Sequence, residues 1–342
     1  LQHRRPRPVE VAEHHFRIMA SEAQLIVTAA QPAAAAFQDA VLFLKHLERR
    51  WSRFLSDSDI SRLNNAQGMP LAVDPTTIVL VSKMIEAWQL TAGGFDPTVL
   101  PVLVASGYDT SLVNGQHFTI LPKSHSAAGN PIRADLDSIA IDPAMNTIRM
   151  PSGMFIDPGG IGKGLASDLA VARFMERGAM GALVSIGGDM AMAGLPPAAT
   201  DDHDRQRAWT VHIARPDRSM GDLCTLGIDS GGVATSSTCS RRWEHEGRDH
   251  HHLIDGTQRT ESDTDLASVT VVAACGWIAE AHATAAILAG SGNVRDYLLE
   301  HQLTGVAIPQ SGNPIGTGTL DSCGPETFEA LQPTNSTSTV AQ

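Results

Sequence analysis

Composition alone excludes more than it assigns in this chain of 342 residues. Its four cysteines, Cys224, Cys239, Cys275 and Cys323, show no paired spacing, which indicates neither a zinc knuckle nor a disulfide framework. No run of 18 apolar residues occurs, so no transmembrane helix is expected. Positive charge is scarce: 25 Lys and Arg against 37 Asp and Glu leave a formal net charge of −12. That balance argues against nucleic acid or an anionic membrane as the main partner. The opening LQHRRPRPVEVAEHH is basic but has no apolar segment and no small-residue cleavage site. It does not read as a secretory or lipoprotein signal, so a cytoplasmic location is favoured. No Gly-x-Ser-x-Gly elbow is present, and no Cys/His pairing with an activated thiol is visible.

Hydrophobic residues make up 42% of the chain and charged residues 18%, the balance of a globular protein. The length suffices for a large core and two lobes. The organising stretch is Ile156–Asp168, IDPGGIGKGLASD, a glycine-rich turn that opens into a helical pattern with Leu165, Leu169 and Ala172 on one face. Glycine lets a backbone approach a ligand closely, and the N–H groups of a helix start favour an anion. Two named phosphate motifs fail on it. A Walker loop needs Ser or Thr where Gly164 follows Lys163, and a dinucleotide fingerprint begun at Gly160 ends on Leu165. A bare Gly-rich turn before a helix is more often a structural connection than a ligand site.

Around it, residues 1–15 read as loose, and 16–19 with 23–29 as an opening strand or hairpin. Phe37, Val41, Leu44, Leu47 and Trp51 define a helix after Pro32. Ser58 and Asp59 cap a short helix, and Asp74-Pro75 starts a longer one with Ile78, Val81, Ile85 and Trp88 as its buried stripe. Residues 105–135 and 195–207 read as insertion-like loops, 243–264 as a polar, histidine-rich segment, and 333–342 as a disordered tail. Strands are expected at 181–186, 209–214, 225–228, 267–273 and 304–308, and an alanine-rich helix at 277–288. Strands and helices alternate without a βαβ rhythm, which predicts a mixed α/β or α+β fold, with residues 16–332 as one domain of two subdomains.

Four constellations could carry chemistry. Glu280 and Thr284 stand at i and i+4 on the late helix, so they share a face and offer hard oxygens to Mg²⁺; a carboxylate serving the helix dipole beside a packed threonine is the plainer alternative. Of His250, His251 and His252, neighbours alternate faces on a strand, so one could point inward as a proton acceptor or donor, or all three could be solvated. Phe95-Asp96-Pro97 and Gly187-Gly188-Asp189 are turns that could also place a ring or a carboxylate against a ligand.

The order of the segments is more specific than any one of them. SRFLSDSDISRLN, GGFDPTVLP, IDPGGIGKGLASD, ALVSIGGDMAMAG, VATSS, HLID and SVTVVA…AEAHATAAILAG together resemble the ApbE-type FAD:protein FMN transferases over roughly residues 16–310. The resemblance implies a two-lobed, T-fold-like domain with a flavin cleft between its lobes. It implies Mg²⁺-dependent transfer of FMN from FAD to a threonine hydroxyl of an acceptor flavoprotein, with release of AMP. Position by position, it implies flavin contacts at Met19, Phe54, Gly94, Phe95, Asp96, Gly159, Leu165 and Ile254. It implies a metal site from the Gly162 carbonyl, Glu280 and Thr284, and a proton acceptor at His252. The chain departs from the family pattern in three places. Glu280 replaces an aspartate, Asp255-Gly256-Thr257-Gln258-Arg259 stands for D-P-x-T-G, and Thr235-Ser236-Ser237 stands for Thr-Ser-Gly. These departures keep two alternatives open, an Mg²⁺-dependent FAD pyrophosphatase and a non-catalytic FAD-binding protein. A nicotinamide-dependent dehydrogenase ranks last, because the fingerprint fails.

Overall fold

The structure, a computed structural model, describes residues 9–30, 33–111, 118–119, 121, 135–197, 208–216, 221–322 and 328–331. Its main sheet has eight strands: β1 (Glu10–Ile18), β2 (Ser21–Ala29), β3 (Gly181–Ile186), β4 (Asp189–Gly194), β5 (Gly231–Ser237), β6 (Leu266–Ala273), β7 (Thr304–Pro309) and β8 (Ile315–Gly316). They lie side by side in chain order, and every neighbouring pair is antiparallel. The sheet is therefore a meander whose connections have been enlarged, and the enlarged connections supply everything else.

The excursion from β2 to β3 carries α1 (Ala34–Trp51), α2 (Asp59–Asn64), α3 (Pro75–Leu90), α4 (Leu100–Ala105) and α5 (Gly162–Glu176). The expected starts are realised: the Ser58 side chain accepts from Ser61 N, and Asp74 accepts from Thr76 N with Pro75 in the first turn. On α3 the buried stripe is Thr77, Ile78, Leu80, Val81, Met84 and Ala87, with Ile85 and Trp88 only partly buried. Between β6 and β7 lie α6 (Gly276–Leu288) and α7 (Val294–Glu300). Ten of the 13 residues of α6 are buried, Glu280 among them. Its alanines let it sit in the middle of the molecule, packed against α5, β5 and β6.

Alternation divides the sheet residues between two cores. Ala182, Val184, Ile186 and Ala191 face α1, α3 and α5, and Ala234, Val269, Val271 and Ala307 face α6 and α7. Leu183, Met192, Val233, Val272 and Val306 face the opposite side, where they meet a three-stranded sheet of Trp209–Ala214, Asp222–Ile228 and Phe328–Leu331. Each large apolar side chain buried this way contributes roughly 1.5–3 kcal/mol.

Two expectations are corrected, and one segment without expected elements is found to have them. Residues 10–15 are not loose; they make most of β1, held by a ladder from Glu10↔Ala29 to Ile18↔Ser21. The segment 243–264 holds two hairpins, Arg242–His245 with Arg248–His251 and Ile254–Asp255 with Thr260–Glu261. Glu246 and Gly247, both at positive φ, make the tight turn of the first. Cys224 is engaged in a disulfide although spacing gave no sign of one, whereas Cys239 and Cys275 are free thiols. Most of the loops expected at 105–135 and 195–207, and the whole tail at 333–342, lie outside the described residues.

Candidate active site

A cleft of about 280 Å³ opens where the enlarged connections meet. Lys163 on α5 and Glu280, Thr284 and Leu288 on α6 line it, and the joint between these two helices depends on glycine. A Cβ on Gly164 would lie 2.3 Å from the Gly276 carbonyl oxygen, so the two helix starts touch backbone to backbone. Asp168, one turn along α5, accepts from Gly276 N at 2.7 Å and Trp277 N at 2.9 Å and so caps α6. Burial pushes the Asp168 carboxyl up to about 7, against the lowering effect of those two amides.

Three motif segments converge on Gly160, which has φ +85. A side chain there would meet Thr284 Oγ1 at 3.1 Å and the Phe95 ring at 3.2 Å. Gly94 lies against α6 with equal closeness, since its Cβ would come 2.8 Å from that of Ala285. Hence the turns 94–96 and 158–160 and the face of α6 bearing Glu280 and Thr284 form one wall. Thr284 Oγ1 donates to the Glu280 carbonyl at 3.1 Å and lies 3.3 Å from Ser236 Oγ on β5.

The Glu280 side chain is 5% exposed. Its Oε2 accepts from Gly164 N at 2.7 Å, and its Oε1 faces Lys163 Nζ at 3.4 Å. Lys163 also ion-pairs with Asp189, which opens β4 and whose Oδ1 accepts from Thr235 N at 3.3 Å. Burial pushes the Lys163 ammonium below its ordinary value, and Glu280 opposes that shift. Across the cleft, His252 lies between the two hairpins, and its buried Nδ1 has no hydrogen-bond partner among the described residues. Burial, helped by Arg241 and Lys163, pushes its imidazole down to about 3, so the ring is neutral. Tyr108, also in the lining, stacks on Trp243 with 4.8 Å between centroids, and the Arg53 guanidinium lies over both Phe54 and Tyr108.

A sequence model of the ApbE family matches residues 18–308, most of the chain. The chain belongs to the ApbE family. It is 27% identical over 273 residues to a FAD:protein FMN transferase of Treponema pallidum, covering 76% of this chain and 74% of that one. It is 25% identical over 286 residues to the Escherichia coli K12 protein of the same name, covering 78% and 74%. The fold matches the crystal structure of the Thermotoga maritima ApbE protein with a TM-score of 0.75 at 20% identity, over 93% of this chain and all of that one. It matches the apo form of Pseudomonas stutzeri flavinyl transferase ApbE with a TM-score of 0.74 at 21% identity, over 92% and 97%.

Of the positions that the ApbE resemblance singles out, Gly94, Phe95, Asp96, Gly159, His252, Ile254, Glu280 and Thr284 line the cleft. Met19, Phe54, Gly162 and Leu165 are not in its lining. Gly162 and Leu165 are buried at the start of α5, Phe54 stands behind Tyr108, and Met19 precedes the lining residues Ala20 and Ser21. Met19 and Ala20 make the β1–β2 turn with φ +48 and +60, a left-handed pair that normally calls for Asn or Gly. Such strain persists only where its surroundings impose it, and here Met19 N donates to Glu48 at 2.7 Å.

The departure from the ApbE pattern at residues 255–259 has a local reason. A Cβ on Gly256 would lie 2.5 Å from that of Asp96, so proline does not fit there. Arg259 adopts φ +58, and its Nη1 reaches back to Asp96 Oδ2 at 3.3 Å and Thr98 Oγ1 at 2.9 Å. Sequence reasoning missed Lys163 as part of the site, because it was tested only as a Walker lysine. It missed Arg241 as well, since a lone arginine carries no spacing signal, whereas Asp189, singled out with its Gly187-Gly188 turn, does line the cleft.

Proposed function

We infer that this protein is an FAD:protein FMN transferase. The observation that carries the reading is the meeting, in one cleft, of a neutral histidine with an unpartnered nitrogen and a carboxylate–hydroxyl pair one helical turn apart. The names of the curated relatives support the same activity. The glycine-walled turns leave backbone room for the dinucleotide, and Phe95 and Ile254 offer it apolar surface.

The acceptor is a threonine hydroxyl of a second protein. His252 takes the proton of that hydroxyl as its oxygen attacks the FMN-side phosphorus of FAD. The bond from that phosphorus to the bridging oxygen breaks, and AMP leaves with the oxygen. A low pKa suits His252 to be neutral before the reaction, and the arriving phosphates raise its basicity by adding negative charge nearby. Positioning and charge neutralisation do most of the work in phosphoryl transfer. The donor set fits a hard divalent ion: Glu280 and Thr284 offer oxygens on the cleft wall, and Gly162 begins the helix beside them. Mg²⁺ held there supplies neutralisation of the pyrophosphate charge, which a chain of net charge −12 otherwise disfavours.

The test is mass spectrometry of a flavoprotein acceptor incubated with the protein, FAD and Mg²⁺. The expected product is a covalent FMN adduct on threonine together with one AMP per adduct. Release of AMP and free FMN with no adduct would make the protein a pyrophosphatase, and no AMP at all would make it a binding protein.

A further inference from the structure

The cleft's ammonium group stands against the carboxylate assigned to the metal, Lys163 Nζ being 3.4 Å from Glu280 Oε1. Lys163 Nζ sits between two carboxylates on different elements, Asp189 at the start of β4 and Glu280 in the middle of α6. Their side chains are 3% and 5% exposed. Two carboxylates this close and this dry repel each other unless a cation lies between them, and Lys163 is that cation. Both oxygens of Glu280 are engaged: one accepts from the Gly164 amide, and the other faces the ammonium. While Lys163 stays in place, an ion approaching Glu280 Oε1 meets a like charge at 3.4 Å from that oxygen.

We propose that Lys163 is a resident counter-cation that closes the metal site in the absence of FAD, so that the divalent ion binds well only together with the dinucleotide. The pyrophosphate, as a competing anion at the same cleft, draws the ammonium away from Glu280. Lys163 then remains paired with Asp189, and the freed carboxylate oxygen turns to the ion. The coupling is reciprocal: whatever FAD gains from the ion, the ion gains from FAD. This rests on the assignment of Glu280 to the metal site.

The test follows Mn²⁺ binding to the full chain by electron paramagnetic resonance of free Mn²⁺, with and without FAD, so no turnover is needed. Wild-type protein is expected to bind Mn²⁺ at least tenfold more tightly with FAD than without. Lys163→Met, which keeps the stem and removes the charge, is expected to bind Mn²⁺ without FAD at least tenfold more tightly than wild type, and Lys163→Gln should do the same if the methionine variant does not fold. Equal affinity with and without FAD in wild type, or no gain in either folded variant, overturns the proposal. Glu280→Gln separates the two ideas. If it weakens Mn²⁺ binding in the presence of FAD while the Lys163 variants show no gain, the metal assignment survives and the counter-cation does not. If it leaves Mn²⁺ binding intact, the assignment is wrong and the proposal goes with it.

Discussion

The α5–α6 joint makes a quantitative prediction through Gly164→Ala. The added methyl would lie 2.3 Å from the Gly276 carbonyl oxygen, 2.5 Å from its carbonyl carbon and 2.9 Å from Trp277 N. All three are backbone atoms, so no side chain can swing aside and the helices must separate. Overpacking of this kind costs about 1–3 kcal/mol, and a clash with backbone belongs at or above the upper end of that range. Alanine recovers about 1 kcal/mol of helix propensity over glycine. The net loss is about 2 kcal/mol, or a fall in Tm of roughly 3 °C for a chain of this length. Function should suffer more than stability, because α5 carries Lys163 and α6 carries Glu280, and the 2.7 Å bond from Gly164 N to Glu280 spans the joint. Differential scanning fluorimetry and FAD-dependent AMP release measure the two effects. Gly292→Ala is the control, since a Cβ there meets nothing within 4 Å. If Gly164→Ala matches Gly292→Ala in both assays, the close-packed joint does not hold the site together.

Three further outcomes are expected. His252→Gln should retain FAD binding within a few-fold, as read by flavin fluorescence, while AMP release falls by about 10²-fold or more; equal losses of binding and turnover would assign His252 to binding alone. Asp168 has a folded-state pKa of about 7 against an ordinary 3.8, so between those values the folded chain holds more protons than the unfolded one. Its contribution to stability therefore falls as pH rises through that window, and the Tm of Asp168→Asn should lose less between pH 4 and 7 than that of wild type; parallel curves would refute the shift. Arg259→Ala leaves Asp96, whose side chain is 1% exposed, without its guanidinium partner. Denaturant unfolding should show a loss of about 3 kcal/mol, and a loss below 0.5 kcal/mol would mean that the pair is not buried in solution.

What could be read from the chain was whatever is local or periodic. The caps at Ser58 and Asp74, the stripe of α1 (with Ala40 buried and Val41 only partly so), the apolar run 181–186 and the β-branched strand 267–273 are dictated by neighbours within a few residues. The i, i+4 placement of Glu280 and Thr284 is likewise a property of one helix. The family resemblance was legible because several short segments recur in a set order, which needs no knowledge of contacts.

The histidine-rich stretch shows where that reasoning stops. Its hairpins are made by cross-strand pairs and by packing of Trp243 on Tyr108, a partner 135 positions away, so nothing periodic announces them. The ion pairs of Lys163 with Asp189 and Glu280, and of Arg259 with Asp96, join residues that neither propensity nor spacing relates. The sequence by itself determined which segments become helix or strand and which residue types are present for phosphate and metal chemistry. Only the tertiary structure decided which of them share a cleft, because that depends on the order in which a meandering sheet brings its enlarged connections together and on two glycines that let α5 and α6 touch.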